Sequence, residues 1–481
     1  MVQLAQAVTF DEIKAYQLGG KVLGASTFPY SPPVTYPGGS GYPQYCDNFG
    51  SYTVPAICHT PAMEPAGHFN IPALGGTYTD QNFGATVKIM TDPSQDWYHN
   101  YSTISPFSAH NKYYTVQNIA GNIQIRDTAT NALVREAPQL EGLWAGGSDY
   151  WSAVDDDIMY LDMFHWDGTQ YVYTKLYKYS VSQDKLTLLV DYSKAPYNFS
   201  SISTGGKGTV SKDDWIAMLV NDKHLICVVN FNNPATDTYC TDYTTSNPAV
   251  NKVDWPTDHM ATHISKGIDS QTGKRYVVAE SSAGLAVFSF DPTTKQLSLD
   301  DRPEGAPDMM SPGNGNGICD PGEGCPGTPH MDTFEDSAGI QYVAFGTGVE
   351  TPCADDFSSY QLSKAATLNM TVSVKDGGGR KDIFTKAVCG SEDWSSDHIG
   401  CAASAPYCLI DNYFGAVPAG YPTTIHDGND PFGFEMIVIK NNGDEVRRVA
   451  MNNSVVSGYL DQPVAALSPD GSYTMFNSNF G

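Results

Sequence analysis

The stretch Pro463-Val-Ala-Ala-Leu-Ser-Pro-Asp-Gly471, followed by Ser472-Tyr-Thr-Met-Phe-Asn-Ser478, gives the clearest local pattern in the chain. Two short apolar runs flank Ser-Pro-Asp-Gly, whose proline, aspartate and glycine suit the backbone angles of a tight turn. The pattern therefore predicts two antiparallel strands joined by that turn.

The same strand–turn–strand pattern recurs earlier in the chain. A small sheet of this kind cannot bury both of its faces alone, so such units stack side by side around an axis. Counting all copies, the repeat predicts an all-β chain folded as a seven-bladed β-propeller. The earlier copies pair residues 101–107 with 112–116, 143–144 with 158–161, 208–214 with 215–220, 261–267 with 275–278, 331–339 with 341–345, and 399–404 with 407–410.

The two ends of the chain are expected to meet in one blade. The sequence ends at Gly481, soon after the second strand of the last repeat, so the outer strand of that blade must come from elsewhere. The run Ala85-Thr-Val-Lys-Ile-Met90 precedes the first repeat and has the β-branched residues of a strand. We expect residues 85–481 to form the propeller, closed by this N-terminal strand. Residues 1–84 should form an extension packed on it.

The composition excludes some classes of partner. The 481 residues include 53 acidic and 27 basic side chains, which gives a formal net charge of −26. A chain this acidic will not bind nucleic acid or an anionic membrane surface through its bulk charge. No run of 18 or more apolar residues occurs, so the sequence predicts no membrane span.

The ten cysteines predict disulfides, and hence a secreted protein of the extracellular space or the periplasm. The N-terminus lacks a basic and apolar leader, and we expect it to be a mature terminus from which a signal peptide was removed. No C-x-x-C motif is present, which argues against a zinc ribbon. The expected pairs are Cys46 with Cys58, Cys227 with Cys240, Cys319 with Cys325, Cys401 with Cys408, and Cys353 with Cys389.

Histidines and aspartates recur where the first strand of a repeat begins. Because the first strands of a propeller line its central funnel, these side chains should gather around one axis. Imidazole and carboxylate groups bind divalent cations or act as general acids and bases. A single histidine here more often bonds a neighbouring turn, but the recurrence favours a functional site, above all at His330 and His398. The positions are His99, Lys207, Asp258, His259, His263, His330, Asp332, Asp397, His398, Asp461 and Gln462.

Tryptophans also lie near the strand starts. Trp97, Trp144 and Trp255 are candidate substrate-binding residues, because an aromatic face stacks on a sugar ring. Packing between the blades is the alternative role for these side chains.

Five segments share a pattern with known propellers: Thr86-Val-Lys-Ile-Met-Thr-Asp92, Tyr98-His-Asn-Tyr-Ser-Thr-Ile-Ser-Pro106, His330-Met-Asp332, His398-Ile-Gly400 and Leu467-Ser-Pro-Asp-Gly471. They resemble the oligogalacturonate-lyase-like propellers, with the ulvan-lyase propellers as a related comparison. The resemblance extends over about residues 85–481. It implies a secreted lyase that cleaves a uronate-containing polysaccharide by metal-assisted β-elimination. On this likeness, His259, His330, His398 and Gln462 hold a divalent ion (Mn, Ca or Zn) that neutralises the uronate carboxylate.

The elimination also needs a base for the proton beside the carboxylate. Lys207 and His99 are the candidate bases, and His330 and His398 are further catalytic candidates. Two alternatives remain open. One is a non-catalytic extracellular propeller that binds a glycan or a protein and whose histidines hold a structural metal. The other is a glycoside hydrolase that uses the funnel carboxylates Asp258, Asp332 and Asp397.

Overall fold

The structure of the protein is a computed structural model. It contains no α-helix in the residues that it describes, so the all-β prediction is confirmed for them. The described residues are 16–17, 20–21, 72–80, 85–92, 97–118, 122–138, 144–166, 171–203, 207–220, 223–243, 261–281, 284–299, 330–346, 362–371, 380–386, 396–413, 435–440, 445–452 and 462–478.

Antiparallel sheets follow one another along the chain. Two short pairs come first: β1 (Tyr16–Gln17) with β2 (Gly20–Lys21), and β3 (Thr77–Thr79) with β4 (Thr86–Lys88). The first larger sheet contains β5 (Trp97–Tyr98), β6 (Tyr113–Asn118), β7 (Ile123–Asp127) and β8 (Leu133–Glu136). The second contains β9 (Trp144–Trp151), β10 (Ile158–Trp166), β11 (Tyr171–Ser180) and β12 (Lys185–Asp191).

The third sheet has three strands in the described residues: β13 (Trp215–Val220), β14 (Leu225–Asn230) and β15 (Thr238–Asp242). The fourth contains β16 (Thr262–Ile264), β17 (Arg275–Ser281), β18 (Gly284–Asp291) and β19 (Gln296–Leu299). The fifth contains β20 (Met331–Glu335), β21 (Gln341–Gly346), β22 (Leu362–Asn369) and β23 (Arg380–Lys386). The sixth contains β24 (Ser396–Cys401), β25 (Tyr407–Tyr413), β26 (Glu435–Lys440) and β27 (Glu445–Met451). A last pair, β28 (Ala466–Leu467) with β29 (Thr474–Met475), ends the series.

Burial falls from the inner strands of a sheet to its outer strand. The strand β14 is buried at its four central residues, whereas the residues of β8 and β12 are exposed or half-buried apart from Val190. A continuous apolar run is typical of a strand covered on both faces. Ala217 and Val228 of the third sheet share one buried cluster with Val277 and Phe288 of the fourth, so neighbouring sheets pack face to face.

The first strands of neighbouring sheets meet at the centre. The Thr262 hydroxyl donates to the carbonyl of Ala217 at 2.9 Å, and the Thr333 hydroxyl donates to the carbonyl of Ile264 at 2.5 Å. At Gly400 an added Cβ would lie 1.9 Å from the carbonyl oxygen of Ser102, so this approach requires glycine. Sheets that stack in chain order with their first strands at a common centre form a β-propeller.

Two of the five expected disulfides lie in the described residues and are confirmed. Cys227–Cys240 joins β14 to β15, and Cys401–Cys408 joins β24 to β25. The other six cysteines lie outside the described residues. Within the ranges given above, the chain has no helix with the length and apolarity that crossing a bilayer requires.

The third repeat differs from the sequence expectation. Residues 208–214 form no strand, and a single bridge between Ser203 and Leu219 stands in place of a first strand. This segment is instead linked to the fourth sheet, where the amide of Lys212 donates to the carbonyl of Lys266 at 2.8 Å. It then turns through Asp214, which has a φ of 64°.

Candidate functional site

Two of the histidines singled out from the sequence lie side by side at the centre. His330 precedes β20 and His398 lies on β24, and their ring centroids are 4.6 Å apart at an interplanar angle of 33°. The Tyr101 ring meets both edge-on, at centroid distances of 6.1 Å from His330 and 5.6 Å from His398. His330 is half-buried, whereas His398 is 1% exposed. Residues of the first, fifth and sixth sheets, or adjoining them, therefore form one aromatic cluster.

The orientation of His398 is set by a buried carboxylate. Asp411 lies opposite His398 in the β24–β25 register and accepts hydrogen bonds from its backbone N–H and its Nδ1, each at 3.0 Å. The second oxygen of Asp411 accepts from the backbone N–H of Ala465. Three donors thus hold this carboxylate in place.

His99 lies next to this cluster and is buried. Its side chain is 2% exposed, and the polar group closest to its ring is the backbone of Val464. Burial lowers the pKa of His99 to about 4; the Asp411 carboxylate opposes the shift and His398 adds to it. The imidazole is therefore neutral at pH 7 and shielded from solvent.

Lys207 brings a cation to the same centre. Its Nζ lies 5.7 Å from the centroid of the Tyr101 ring, a cation–π contact, and the side chain is half-buried. The Thr103 hydroxyl donates to the backbone carbonyl of Lys207 at 2.6 Å, which fixes this segment against the first sheet.

A second group of polar residues, Lys266, Asp332 and Thr209, lies near the histidine cluster, and its members bond to one another. The Lys266 ammonium donates to Thr209 at 2.5 Å and to the Asp332 carboxylate at 3.2 and 3.3 Å. Asp332 also accepts from the backbone N–H of Cys401 at 2.7 Å. Burial lowers the pKa of Lys266, and Asp332 opposes that shift. A cavity of about 30 Å³ adjoins Lys266, which is room for a water molecule.

His263 belongs to this second group. Its Nδ1 lies 3.7 Å from Asp332, beyond hydrogen-bond distance, and its side chain is fully buried. Burial lowers its pKa, while Asp332 opposes the shift. The pairing of Asp332 with Lys266 leaves that carboxylate inside the fold, which does not favour the glycoside hydrolase alternative.

The remaining sequence candidates are not brought into the cluster by the described residues. Gln462 is half-buried, and its backbone carbonyl accepts a hydrogen bond from the Asn477 side chain at 3.4 Å. Trp97 packs against the buried cluster that contains Val116 and Leu467, which supports the packing role for this tryptophan. Asp397 and Trp144 lie on β24 and β9, with side chains outside the description. His259, Asp258, Trp255 and Asp461 lie outside the described residues.

A metal site is not complete in the described residues. Across the described ranges, no three His, Cys, Asp or Glu side chains lie close enough together to hold a metal ion. His330 and His398 are the two proposed ligands that this part of the chain brings together. Imidazole nitrogens are ligands that Mn or Zn binds more readily than Ca, which prefers oxygen ligands.

Three residues of the centre were not predicted from the sequence. Tyr101 was visible in the first repeat but carried no signal beyond that of a strand residue. Lys266 follows a first strand, at the turn, rather than preceding it. Asp411 lies on a second strand, where alignment on strand starts cannot find it.

Comparison with known proteins yields no family. No protein-family model matches the sequence, and no curated protein matches it. Among solved structures, a hydrazine synthase from Kuenenia stuttgartiensis is 12% identical, with a TM-score of 0.40 over 79% of this chain and 94% of that chain. An oligogalacturonate lyase in complex with manganese is 11% identical, with a TM-score of 0.30 over 79% of this chain and 97% of that chain.

An oligogalacturonate lyase from Vibrio parahaemolyticus is also 11% identical, with a TM-score of 0.35 over 85% of this chain and 95% of that chain. These identities and TM-scores are too low to assign the chain to a family or to carry a function to it.

Proposed function

We propose that the protein is a secreted polysaccharide lyase that cleaves a uronate-containing polysaccharide by β-elimination. The observation that supports this is the convergence of His330, His398, Tyr101 and Lys207 at the centre of the sheets. The two disulfides support export to an oxidising compartment. The centre combines imidazole, phenol and amine groups, which can take up a proton or stabilise the negative charge that develops beside a carboxylate.

In the proposed reaction, a base removes the proton on the carbon beside the uronate carboxylate. The electron pair of that C–H bond forms a carbon–carbon double bond, and the bond to the glycosidic oxygen breaks. The leaving oxygen takes a proton and becomes a sugar hydroxyl. The products are an unsaturated uronate end and a shortened chain, so no oxidant or water is consumed.

Lys207 is the base in this proposal, and it acts in its uncharged amine form, because an ammonium has no lone pair that can take a proton. Its amine reaches the centre while it stays half-buried, whereas His99 is 2% exposed and too enclosed to touch a polymer. The Tyr101 ring holds Lys207 and both histidines in one group, which limits the movement of the reacting side chains.

His330 and His398, together with His259 and Gln462, would hold a divalent ion. The donor set fits Mn or Zn, and the carboxylate on His398 Nδ1 is a regular feature of metal-binding histidines. When bound, such an ion neutralises the carboxylate of the substrate and stabilises the charge that develops there.

The test is the ultraviolet absorbance of the unsaturated product on pectic, ulvan, alginate and glycosaminoglycan polymers. Moderate salt is needed, because the net charge of −26 repels polyuronates at low ionic strength. We expect product that a chelator and Lys207→Met each abolish. The control is Lys212→Met, since Lys212 pairs with Glu335 at the surface. No product from folded, Mn-loaded protein on any polymer would contradict the lyase proposal.

A second candidate is a non-catalytic propeller that binds a glycan or a protein. The observation that favours it is the near-complete burial of His99, His263 and His398, since enclosed histidines suit a structural role. Binding of the same polymers without product, unchanged by Lys207→Met, would support this candidate.

We further propose that the propeller has seven blades and that its N-terminal strand closes it. In support, Asn111 of the first sheet donates to Asp470 at 2.9 Å and Ser472 at 3.0 Å in the last pair. Val87 of β4 also lies in the same buried cluster as Leu467 of β28. Among the described strands, no sheet joins β4 to β29. Residues 1–84 would then be the extension.

A further inference from the structure

The carboxylate of Asp411 is fully buried and completely engaged. Its first oxygen accepts the backbone N–H and Nδ1 of His398, and its second accepts the N–H of Ala465. A carboxylate only accepts hydrogen bonds, so the hydrogen of this imidazole must lie on Nδ1. The lone pair of His398 is then on Nε2.

The segment that holds Asp411 has a costly backbone conformation. Val464, directly before Ala465, has a φ of 42°, a region that β-branched residues rarely enter. Such strain persists where surrounding contacts impose it, and it is frequent at functional sites. Here the strained peptide presents the N–H that orients Asp411 from the side opposite His398.

We infer that Asp411 is a positioning residue that locks His398 in the Nδ1–H tautomer and thereby keeps Nε2 for a divalent cation at the centre. The part that concerns the cation rests on the proposed function. The tautomer itself follows from the hydrogen bonds and is tested without any metal.

The neighbouring pair of His263 and Asp332 lacks the direct hydrogen bond that joins His398 to Asp411. Their atoms are 3.7 Å apart, and Asp332 is instead committed to Lys266 and to the amide of Cys401. A buried carboxylate near a buried histidine therefore does not by itself fix a tautomer in this fold. The direct bond to Asp411 distinguishes His398.

The tautomer is measured by long-range proton–nitrogen NMR on metal-free protein labelled with ¹⁵N-histidine, with His398→Gln to assign the signal. In the wild type we expect a protonated Nδ1 and an unprotonated Nε2 at His398. In Asp411→Ala we expect the Nε2–H form to appear, because Nδ1 has lost its acceptor. A wild-type tautomer in folded Asp411→Ala would overturn the inference.

Asp411→Asn provides the test if the alanine variant does not fold. It keeps the side-chain volume, but its amide has one acceptor oxygen for donors on both sides. Asp149→Asn is the matched control, because Asp149 is also buried but bonds Asn100 rather than a histidine. Its His398 signal should match that of the wild type.

Calorimetric titration with Mn²⁺ tests whether Asp411 promotes cation binding at His398. We expect either Asp411 variant to weaken binding about 10- to 100-fold, the usual effect of removing the partner of a metal-binding histidine. Asp149→Asn should bind as the wild type does. Unchanged affinity in the Asp411 variants would overturn the role toward the cation. A locked tautomer in a wild type that binds no Mn²⁺ would support the positioning role and contradict the metal in the proposed function.

Discussion

The rings of His330 and His398 lie 4.6 Å apart although one precedes β20 and the other lies on β24 of the next sheet. Both also contact Tyr101, which the first sheet supplies. The cluster therefore exists only where these sheets pack together, because no single sheet contains all three rings.

His330→Ala and His398→Ala are each expected to lower lyase turnover about 10²- to 10⁴-fold. The double variant should lose little more than either single one, because the two imidazoles act as a unit. His110→Ala is the control, since His110 is exposed and pairs with Asp156 at the surface. Turnover on the most active polymer measures the effect, and independent, multiplicative losses would contradict a shared role.

The buried ion pair of Lys266 and Asp332 is expected to show strong coupling. Asp332→Asn leaves a buried ammonium without its counter-charge and should destabilise the fold by about 3–5 kcal/mol. Adding Lys266→Met should restore part of that loss, because no unpaired charge remains. Urea unfolding of the two single variants and the double variant gives the coupling energy. Additive losses would show that the pair does not interact.

Asp149 is expected to make stability fall as pH rises. Burial raises its pKa to about 6 from the model-compound value of 3.8, against a hydrogen bond from Asn100. The folded state then holds this proton more tightly than the unfolded chain, so its contribution is lost between about pH 4 and pH 6. Asp149→Asn should therefore gain about 3 kcal/mol over the wild type between pH 4 and pH 7.

His99 has the opposite effect on the pH dependence of stability, and in the wild type it masks the contribution of Asp149. Its folded pKa of about 4 lies below the unfolded value of 6.5, so its contribution to stability is present above pH 6.5 and is lost as pH falls toward 4. The measurement is therefore the difference in unfolding free energy between wild type and Asp149→Asn across this range. A difference independent of pH would show that Asp149 titrates normally.

The proposed closure by the N-terminal strand predicts energetic coupling between β4 and the last pair of strands. Val87→Ala should cost about 2 kcal/mol, because it removes two buried methyl groups and leaves a cavity. Val134→Ala on the exposed strand β8 is the control and should change stability by less than about 0.5 kcal/mol. Combined with Leu467→Ala, the Val87 variant should be non-additive by at least about 0.5 kcal/mol. Full additivity would contradict closure by β4.

The strand repeat was the part of the fold that sequence could predict. Alternation of apolar residues and turn chemistry act locally, so the Ser-Pro-Asp-Gly stretch at 468–471 was recognisable as the turn between β28 and β29. Residues 208–214 form no strand, and the amide of Lys212 bonds to the carbonyl of Lys266 beside the fourth sheet, a contact that local patterns do not record.

The site was predictable to the extent that it lies on first strands. Strand starts point to a common axis, and this brought His99, His330 and His398 under consideration. Asp411 acts from a second strand, and Tyr101 contributes a ring whose partners belong to other sheets. Such partners depend on long-range packing, which a single sequence does not contain.

The ion pair of Lys266 with Asp332 ties the Thr209 segment, the fourth sheet and the fifth sheet together, and Cys401 attaches the sixth. The outer strands β8 and β12 are by contrast exposed and carry none of these bonds. The bonds at the centre thus link several sheets, whereas the outer strands take no part in them. We expect affinity tags, glycans or inserted segments at the outer strands to leave the centre unchanged. A conservative substitution at the centre should instead affect several sheets at once.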